Sequence, residues 1–214
     1  MTSKDKDALV EVEALEKAQS ALEKNIPLRV IKFTDEELEI IKQFCFLTIK
    51  PIIYLANVKD SNYNDDNAYF NQVVDYALKE GSKAIKICAK LEEELVDYND
   101  EEKKEMLDMY GIERSGLDEL IKVTYELLGL RTYFTVGTDE VRAWTFKDGM
   151  NAKQCAGIIH TDFEKGFIKA EVISYKDLID CGSELKVKEA GKFRIEGKDY
   201  LMQDGDICHF RFNV

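Results

Sequence analysis

Proline, histidine and paired cysteines are scarce in this sequence. Its 214 residues include 2 prolines, 2 histidines and 5 cysteines, and no two cysteines form a C-x-x-C pair. So little proline argues against long extended linkers, and so few histidines leave no ligand spacing for a zinc site. An odd number of scattered cysteines indicates free thiols in a reducing compartment. The sequence shows no signal peptide and no apolar run near about 18 residues, so we expect a cytoplasmic protein without a membrane partner.

The motifs of phosphate chemistry are also missing. There is no G-x-x-x-x-G-K-[ST] loop and no D-x-x-G leading into a switch loop, and Asp204-Gly205-Asp206 is typical of a turn. Without a glycine-rich loop, its lysine and a magnesium-binding hydroxyl, phosphoryl transfer lacks its machinery. No nucleophile–base pair is evident, so we expect the thiols to be packing residues. The sequence therefore predicts no catalytic residue and no metal site in these residues.

The negative charge is unevenly distributed. The net charge is −12, and residues 1–130 carry 17 Lys and Arg against 28 Asp and Glu, whereas residues 131–214 carry 13 against 14. The acidic first part should repel nucleic acid, so we expect no DNA partner, while the nearly neutral second part can still present a local basic face. The asymmetry predicts a boundary near residue 130.

Residues 5–26 show the spacing of a coiled-coil seam. The seam positions alternate at intervals of four and three residues, at Ala8, Val12, Leu15, Gln19, Leu22 and Ile26. A seam of about three heptads needs a partner helix, and no neighbouring segment repeats the pattern. Pro27 ends the helix. The following segment, "TDEELEIIKQF", predicts a second helix with a capping box between Thr34 and Glu37.

Strands and helices then alternate. The apolar runs at 52–56 and 83–88 predict two strands. Cap and stop residues bound the helices: Asn67 and Gly81 for the first, Asn99 for the second, and Ser115 and Leu128, followed by Gly129, for the third. Strand–helix–strand order with apolar strands implies a parallel sheet covered on both faces. Two strands are too few for such a sheet, so we expect an incomplete core.

From residue 131 onward, short strands alternate with tight turns. "VRAWTFK" (141–147) predicts a strand, Asp148-Gly149 a turn, and Asn151 the cap of a helix. "GFIKAEVI" predicts another strand, and "FRIEGKDYLMQDGDICHFRFNV" is expected to close as a hairpin and a final strand. Strands wrapped around one helix within about 80 residues indicate a small α+β roll of the ubiquitin-like, β-grasp kind.

Two loops at the ends of the predicted parallel strands suggest a site for a purine base. "PIIYLANVKD" delivers Asn57, Val58 and Asp60 after the first strand, and "IKICAK" delivers Cys88, Ala89 and Lys90 after the second. Ligands bind at the carboxyl ends of strands in open α/β sheets. In nucleotidases of this type, Asn-x-x-Asp contacts the base, and a Ser-Ala-Lys triplet braces it through backbone groups.

The letters alone are weak evidence, because Asn62-x-x-Asp65 and Asn99-x-x-Glu102 also occur and the second is typical of a helix cap. In guanine sites the carboxylate accepts the N1–H and the exocyclic N2–H of the base together, a contact that adenine cannot make. The lysine that packs on the purine face in G proteins is missing, because Val58 stands second and Lys59 third in the motif.

The last third of the chain offers a second candidate surface. Its basic residues Arg142, Lys147, Lys165, Lys169 and Arg211 are candidates for a basic face that binds RNA phosphate, and scattered solvated charges are the alternative. Trp144 and Phe163 are candidates for stacking on bases, but we favour packing in the core. His160 ends a predicted helix, where its charge would favour the carbonyl dipoles, so we favour capping or packing over catalysis.

Several segments resemble one known family. "KPIIYLANV", "LRTYFTVGTDEVRAWTFKDG", "IIHTDFEKGFIKAEVI" and "KEAGKFRIEGKDYLMQDGDICHFRFNV" are similar to the YchF / Obg-like ATPase family. Members have a P-loop domain interrupted by a long helical hairpin, followed by a TGS domain with a β-grasp fold. The resemblance covers nearly the whole chain and implies a mixed α/β and α+β protein. It implies that residues 1–48 are the returning half of a helical coiled-coil arm, 49–130 the C-terminal part of the nucleotide domain without its P-loop, and 131–214 the TGS domain.

The resemblance also implies a function. The family associates with ribosomes and translation and hydrolyses ATP in preference to GTP, so ATP or GTP with Mg²⁺ is the expected cofactor. Its base motif is N-x-x-E; Asn57 and Val58 map onto it, whereas Asp60 stands where Glu is usual. The chain resembles a C-terminal fragment, with the P-loop, the other strands and the helical partner upstream of Met1. We expect this fragment alone neither to hydrolyse a nucleotide nor to bind one tightly.

An alternative is a free-standing TGS-type module that binds RNA or a protein without nucleotide chemistry. In either case the expected partners are the ribosome, ribosomal RNA or translation factors. An unpaired helical seam also predicts a possible homodimer.

Overall fold

The computed structural model describes residues 3–60, 63, 67–137 and 140–213. These residues divide into two compact units, Met1–Val123 and Thr124–Val214, a few residues before the boundary expected near 130. Asn62 and Asp65, which repeat the Asn-x-x-Asp pattern, lie outside the described residues. The mixture of helices and sheets expected from the sequence is confirmed.

Unit 1 contains mostly helices and two strands. Its elements are α1 (Ser3–Glu23), α2 (Asp35–Gln43), β1 (Ile53–Asn57), α3 (Ala68–Lys79), β2 (Lys83–Ile87), α4 (Ala89–Leu95), α5 (Asp100–Met109) and α6 (Gly116–Leu127), whose last residues belong to unit 2. Short 3-10 helices at Leu28–Val30 and Leu47–Ile49 connect α1 to α2 and α2 to β1. We call residues 3–49 the helical segment.

Helix α1 packs on its own chain through alanines. Ala14, Ala18 and Ala21 are buried together with Leu28 and Ile41. Small residues spaced by four and three let the following segments approach the helix closely. The sequence pattern does not predict this contact, because the larger seam residues dominate the pattern and conceal the alanine stripe.

Most of the predicted seam lies beside this contact. Leu15 and Leu22 are half-buried at its border. The other seam positions, Ala8, Val12, Gln19 and Ile26, are exposed, with Val12 at 51%. The seam and the internal contact thus lie on neighbouring faces of one helix.

Strands β1 and β2 form a two-stranded parallel sheet, with Ile53 opposite Lys83 and Asn57 opposite Ile87. The prediction of two strands joined by a helix is confirmed. Asn67 caps α3 by accepting from the amides of Tyr69 and Phe70. Leu55, in β1, remains 46% exposed, as expected of a sheet with an incomplete core.

The helix boundaries in unit 1 follow their capping residues. Thr34 with Glu37, and Asn99 with Glu102, form the two capping boxes. Helix α4, which begins directly after β2, was not predicted. Its first two residues, Ala89 and Lys90, are predicted to belong to a base-contacting loop, and seven residues carry too little periodicity to indicate a helix.

Unit 2 is a five-stranded mixed sheet with short helices. Its elements after α6 are β3 (Leu130–Val136), β4 (Val141–Lys147), α7 (Ala152–Ile159), α8 (Thr161–Lys165), β5 (Phe167–Ser174), α9 (Tyr175–Cys181), α10 (Glu184–Glu189), β6 (Arg194–Glu196) and β7 (Asp206–Phe212). The strand order is β4-β3-β7-β5-β6. The pair β3–β7 is parallel and the other neighbours are antiparallel.

The predicted hairpin near the carboxyl end does not form. Strand β6 pairs with one edge of β5, and β7 pairs with the other edge. Between β6 and β7, Leu201 makes an isolated bridge to Asn151. The prediction is wrong because strand spacing alone cannot reveal that these segments pair with distant residues. The turn at Asp204 and Gly205 does form: Gly205 has φ 78°, and Asp204 accepts a hydrogen bond from the Thr132 amide at 2.8 Å.

The two faces of this sheet carry separate apolar clusters. On one face, Tyr133, Phe146 and Phe210 pack with residues of α7, and the Tyr133 hydroxyl donates to the Cys155 carbonyl at 2.8 Å. On the other face, Ile173 and Ile207 pack with Val187 and with other residues of α9, α10 and the following loop. The core of unit 2 is thus formed by its own residues.

Candidate functional site

The two loops predicted to contact a base meet at the carboxyl ends of β1 and β2. Asn57 ends β1, and its side-chain Oδ1 accepts a hydrogen bond from the Ala89 amide at 3.1 Å. The Val58 amide donates to the Ile87 carbonyl at 2.8 Å, which extends the strand pairing by one step. Parallel pairing places both strand ends at the same edge, and the Asn57 side chain then joins them.

Asp60 and Lys90 form an ion pair across the same two loops. Lys90 Nζ lies 2.8 Å from Asp60 Oδ2 and 3.8 Å from a carboxylate oxygen of Glu94. The hydrogen bond to Asp60, followed by its charge and that of Glu94, raises the pKa of Lys90 above its ordinary value. The Asp60 side chain is 30% exposed. A ligand at this edge would therefore meet a carboxylate already engaged by a cation.

Cys88, a predicted base contact, is almost completely buried, with 1% of its surface exposed. It precedes α4 as the N-cap residue, without a side-chain capping bond, and its side chain is buried with Leu91 and Leu95. The thiol is thus a packing residue. At the surface of this loop lies Ala89, whose amide donates to Asn57.

A polar cluster that was not predicted lies near the amino-terminal ends of the same two strands. Glu80 follows α3, and its Oε2 accepts from Arg29 Nε at 3.1 Å, from Arg29 Nη2 at 3.0 Å and from the Tyr54 hydroxyl at 2.8 Å. The side chains of Arg29 and Glu80 are 16% and 8% exposed. We call Arg29, Tyr54 and Glu80 the Glu80 cluster. No sequence signal could have found it, because its members are 25 and 26 residues apart.

The electrostatics of this cluster favour the ionised carboxylate. Burial alone would raise the pKa of Glu80, but hydrogen bonds from Tyr54, Arg29 and Tyr76, together with the charge of Arg29, hold the pKa below its ordinary value. Burial and the neighbouring Glu80 carboxylate raise the pKa of the Tyr54 phenol. The Tyr76 ring packs edge-on against Tyr54, with the ring centroids 5.7 Å apart.

Two of the predicted RNA-binding residues in unit 2 form ion pairs with the same carboxylate. Arg211 donates to both carboxylate oxygens of Glu171, at 3.1 and 3.0 Å, and Lys169 Nζ lies 3.5 Å away. The Arg211 hydrogen bond is the largest cause that lowers the pKa of Glu171. A single carboxylate thus offsets about one of the two positive charges of Arg211 and Lys169.

The remaining three basic residues lie elsewhere. Lys165 ends α8. The Arg142 guanidinium stacks over the Trp144 ring, 4.2 Å from its centroid, so it lies on the face opposite Lys147, five positions along β4. Lys147 is at the end of β4 that pairs with the start of β3. The strand registers place it about eight positions, or ~26 Å, from the level of Arg211. The structure thus does not gather the five predicted residues onto one face, because alternation and register separate them.

The aromatic residues and His160 serve the fold. Trp144 donates through Nε1 to Thr135 Oγ1 at 2.9 Å and packs beside Tyr133, and Phe163 stacks on Phe212. His160 Nδ1 accepts from the Asp162 amide at 3.1 Å and so caps the start of α8. Capping was predicted at the end of the preceding helix, whereas the side chain of His160 caps the start of α8.

The described residues contain neither a membrane-spanning helix nor a cluster of metal ligands. No helix there is long and apolar enough to cross a membrane. No group of three or more His, Cys, Asp or Glu side chains there is arranged to hold a metal ion.

Comparison with known proteins gives consistent matches over nearly the whole chain. A family profile named YchF-GTPase_C, described as "Protein of unknown function (DUF933)", matches residues 130–213. The chain is 52% identical over 213 residues to "Ribosome-binding ATPase YchF" of Bacillus subtilis and 49% identical over 210 residues to the protein of that name from Haemophilus influenzae. These alignments cover 99% and 98% of this chain but 58% of each relative. The chain thus spans less than two thirds of the length of these curated relatives.

Solved structures match in the same way. The structure described as that of the Schizosaccharomyces pombe YchF GTPase superposes with a TM-score of 0.85 at 36% identity, over 99% of this chain and 57% of that one. A GTP-binding protein from Pyrococcus horikoshii OT3 superposes with a TM-score of 0.56 at 22% identity, over 95% of this chain and 56% of that one. The second likeness shows a shared fold alone.

Proposed function

We propose that this chain, which is homologous to YchF proteins over nearly its whole length, is the C-terminal portion of a ribosome-associated, translation-linked P-loop ATPase of the YchF family. In this proposal, residues 49–130 supply the base-contacting loops of the nucleotide site, and residues 131–214 form a TGS module of β-grasp fold. The helical segment is part of a coiled-coil arm. The observation that carries the proposal is the hydrogen bond from the Ala89 amide to Asn57, which joins two strand-end loops at one edge.

We further propose that the base-contacting residues are Asn57, Val58 and Asp60 on one loop and Cys88, Ala89 and Lys90 on the other. A guanine-specific site needs a carboxylate that accepts two N–H groups at once. Here Lys90 already occupies Asp60 Oδ2, so that bidentate contact competes with the ion pair. The absence of a lysine at position 58 also removes the stacking arm of a guanine site. Both features support a preference for ATP over GTP.

This assignment leaves the phosphate contacts to the part of the protein outside this chain. ATP with Mg²⁺ is the proposed cofactor of the longer protein. The chain of 214 residues contains no glycine-rich phosphate loop, and phosphate contacts carry the transition-state charge in such enzymes. We therefore expect no nucleotide turnover by this chain alone. A magnesium-dependent ATPase activity that copurifies with it and disappears with Asn57→Ala would contradict the proposal.

The decisive experiment measures ATP and GTP binding to the longer protein that contains this chain. Asn57→Ala should weaken ATP binding about tenfold, which corresponds to ~1.4 kcal/mol, because the two loops lose the bond that joins them. Lys59→Ala, an exposed neighbour, is the matched control and should leave the affinity within about twofold. Tighter binding of GTP than of ATP, or an unchanged affinity in Asn57→Ala, would overturn the base-site assignment.

We also propose that unit 2 contacts the ribosome or its RNA. Lys165 forms no ion pair among the described residues, whereas Lys169 lies 3.5 Å from Glu171. Charge reversal at Lys165 should weaken co-sedimentation with ribosomes and flatten its salt dependence by about one phosphate contact. The same reversal at Lys169 should have a smaller effect, because Glu171 already offsets part of that charge. Equal, negligible effects would indicate protein contacts made by translation factors.

A second candidate function is a free-standing binding module without nucleotide chemistry. The near balance of charge in residues 131–214, against the acidic residues 1–130, favours it. It predicts ribosome binding that is independent of ATP. Ribosome binding that changes with the bound nucleotide would instead support the ATPase portion.

The exposed seam of α1 supports a homodimer as a further proposal. Val12 is 51% exposed, and a short heptad seam gains stability by pairing. Val12→Glu should then shift the sedimentation of a concentrated sample toward monomer. A cytoplasmic location is proposed from the expected ribosomal partner.

A further inference from the structure

The Glu80 cluster joins two parts of unit 1 that are otherwise separate in sequence. Arg29 belongs to the short 3-10 helix after α1, and its neighbour Leu28 is buried against the alanine stripe of α1. Tyr54 belongs to β1, three residues before Asn57. The position of the Arg29 backbone is thus set by the helical segment, while its side chain is bound at the strand that leads into the base site.

The geometry makes this connection stiff. Three donors converge on a single oxygen, Glu80 Oε2, within 3.1 Å. Arg29 also donates through Nη1 to the Thr48 carbonyl at 3.3 Å, in the 3-10 helix that precedes β1. A planar guanidinium fixes the relative directions of its donors. The Arg29 backbone therefore cannot shift far without stretching several of these bonds.

The base site is sensitive to the position of β1. Asn57 accepts from Ala89, which follows β2, and Val58 donates to Ile87, which ends β2. Both bonds span the two strand ends, so a shift of β1 relative to β2 changes both donor–acceptor distances. Since β1 is five residues long and continuously paired, it transmits a displacement at Tyr54 to Asn57.

We propose that Arg29 is a positioning residue that couples the helical segment to the base site through Glu80 and Tyr54. A movement of the helical segment would then alter the contact between Asn57 and Ala89 at the far end of β1. This inference rests on the proposed function, since it gives the helical segment influence over nucleotide binding. In thermodynamic terms, the nucleotide would influence the helical segment by the same factor.

The low exposure of the cluster supports this role over that of a surface ion pair. Exposed pairs contribute little because water screens them, whereas a buried carboxylate that loses its partners is left uncompensated. An ion pair between Lys17 and Glu37, at 2.8 Å, lies wholly within the helical segment and offers a comparison. Removing that pair should disturb the helices without reaching β1.

Hydrogen–deuterium exchange of the 214-residue chain tests the coupling without any nucleotide. The reporters are the Val58 and Ala89 amides, and the Ile112 amide, which donates to Leu107, serves as a reference within the same unit. Arg29→Gln should speed exchange at Val58 and Ala89 by at least about fivefold, the lower end of typical coupling between sites. Exchange at Ile112 should change far less.

Two further variants keep this test decisive. Lys17→Gln should leave exchange at Val58 and Ala89 within about twofold of the parent chain. Tyr54→Phe removes one hydroxyl and preserves the fold, and it should give an intermediate increase at the same two amides. If Arg29→Gln unfolds the chain, the exchange rates of Val58 and Ala89 in Tyr54→Phe decide whether the coupling exists.

The inference is overturned if exchange at Val58 and Ala89 is unchanged in Arg29→Gln and Tyr54→Phe. It is also overturned if exchange rises equally at Ile112, because a uniform increase indicates general destabilisation. Neither result would affect the base-site assignment, which is tested separately by ATP binding to Asn57→Ala. Conversely, a localised increase would establish the coupling even if the site bound another ligand.

Discussion

At the scale of single residues, surroundings decide what each functional group can do. The acid at position 60 resembles a base-binding carboxylate in sequence, yet in the structure it pairs with Lys90. Opposite charges after two neighbouring parallel strands could have predicted this pair. The convergence on Glu80 could not be predicted, because it depends on where the chain returns after α3.

The cysteines illustrate the same dependence and yield a prediction. Cys88, Cys155 and Cys208 are buried, Cys181 is half-buried and Cys45 is exposed. Burial, with a smaller effect of Asp206, raises the pKa of the Cys155 thiol to about 12. Since the thiolate is the reactive form, a disulfide reagent at pH 8 should label Cys45 first. The three buried thiols should react about a hundredfold more slowly, or only after unfolding.

Mass spectrometry after timed labelling checks this order. A chain unfolded in denaturant is the control, in which all five thiols should react at similar rates. Fast labelling of Cys155 or Cys208 in the folded chain would mean that unit 2 opens far more readily than its packing suggests.

At the scale of helices and strands, local chemistry predicted boundaries better than partners. The capping residues Thr34, Asn67, Asn99 and Asn151 all begin helices as expected, because a cap is a contact within three residues. Strand β4 also matches its predicted range. The predicted strand pairing is wrong where it depends on distant residues, as in the C-terminal hairpin, because β6 pairs with β5 instead.

The cap of α7 gives a prediction at this scale. Asn151 Oδ1 accepts from the Gln154 amide at 2.9 Å, and Gln154 Oε1 accepts from the Asn151 amide at 2.9 Å. Because α7 supplies buried residues to the core of unit 2, Asn151→Ala should lower the free energy of unfolding by ~1 kcal/mol.

Urea unfolding followed by Trp144 fluorescence measures this change, since Trp144 is the single tryptophan and packs against that core. Asn151→Asp, which retains an accepting oxygen, should recover most of the loss. If both variants matched the parent chain, the side-chain cap would contribute nothing measurable.

At the scale of the whole molecule, the sequence predicted an incomplete first part and a self-contained second part. The two-stranded sheet of unit 1 leaves Leu55 exposed, whereas unit 2 closes two apolar clusters with its own residues. Composition and strand count were sufficient for this contrast. They were not sufficient for the internal partner of α1, which depends on three alanines.

This contrast predicts two unfolding transitions. Trp144 fluorescence reports on unit 2 alone, whereas far-ultraviolet circular dichroism follows the helices of both units. In guanidinium chloride the dichroism should change first, at a lower denaturant concentration, because unit 1 buries less of its apolar surface. Coincident transitions by both probes would show instead that the chain unfolds as one cooperative body.

The parallel pairing of β3 with β7 has a consequence for biosynthesis. Strands β3 and β4 form one antiparallel pair and β5 and β6 another, and among the described strands β7 lies between the two pairs and bonds to both. Of the described strands, β7 is also the one translated last. During synthesis the two strand pairs are therefore complete before β7, the strand that joins them, has been translated. The second unit acquires its native sheet only when residues 206–212 have emerged, so its folding is a late event in translation.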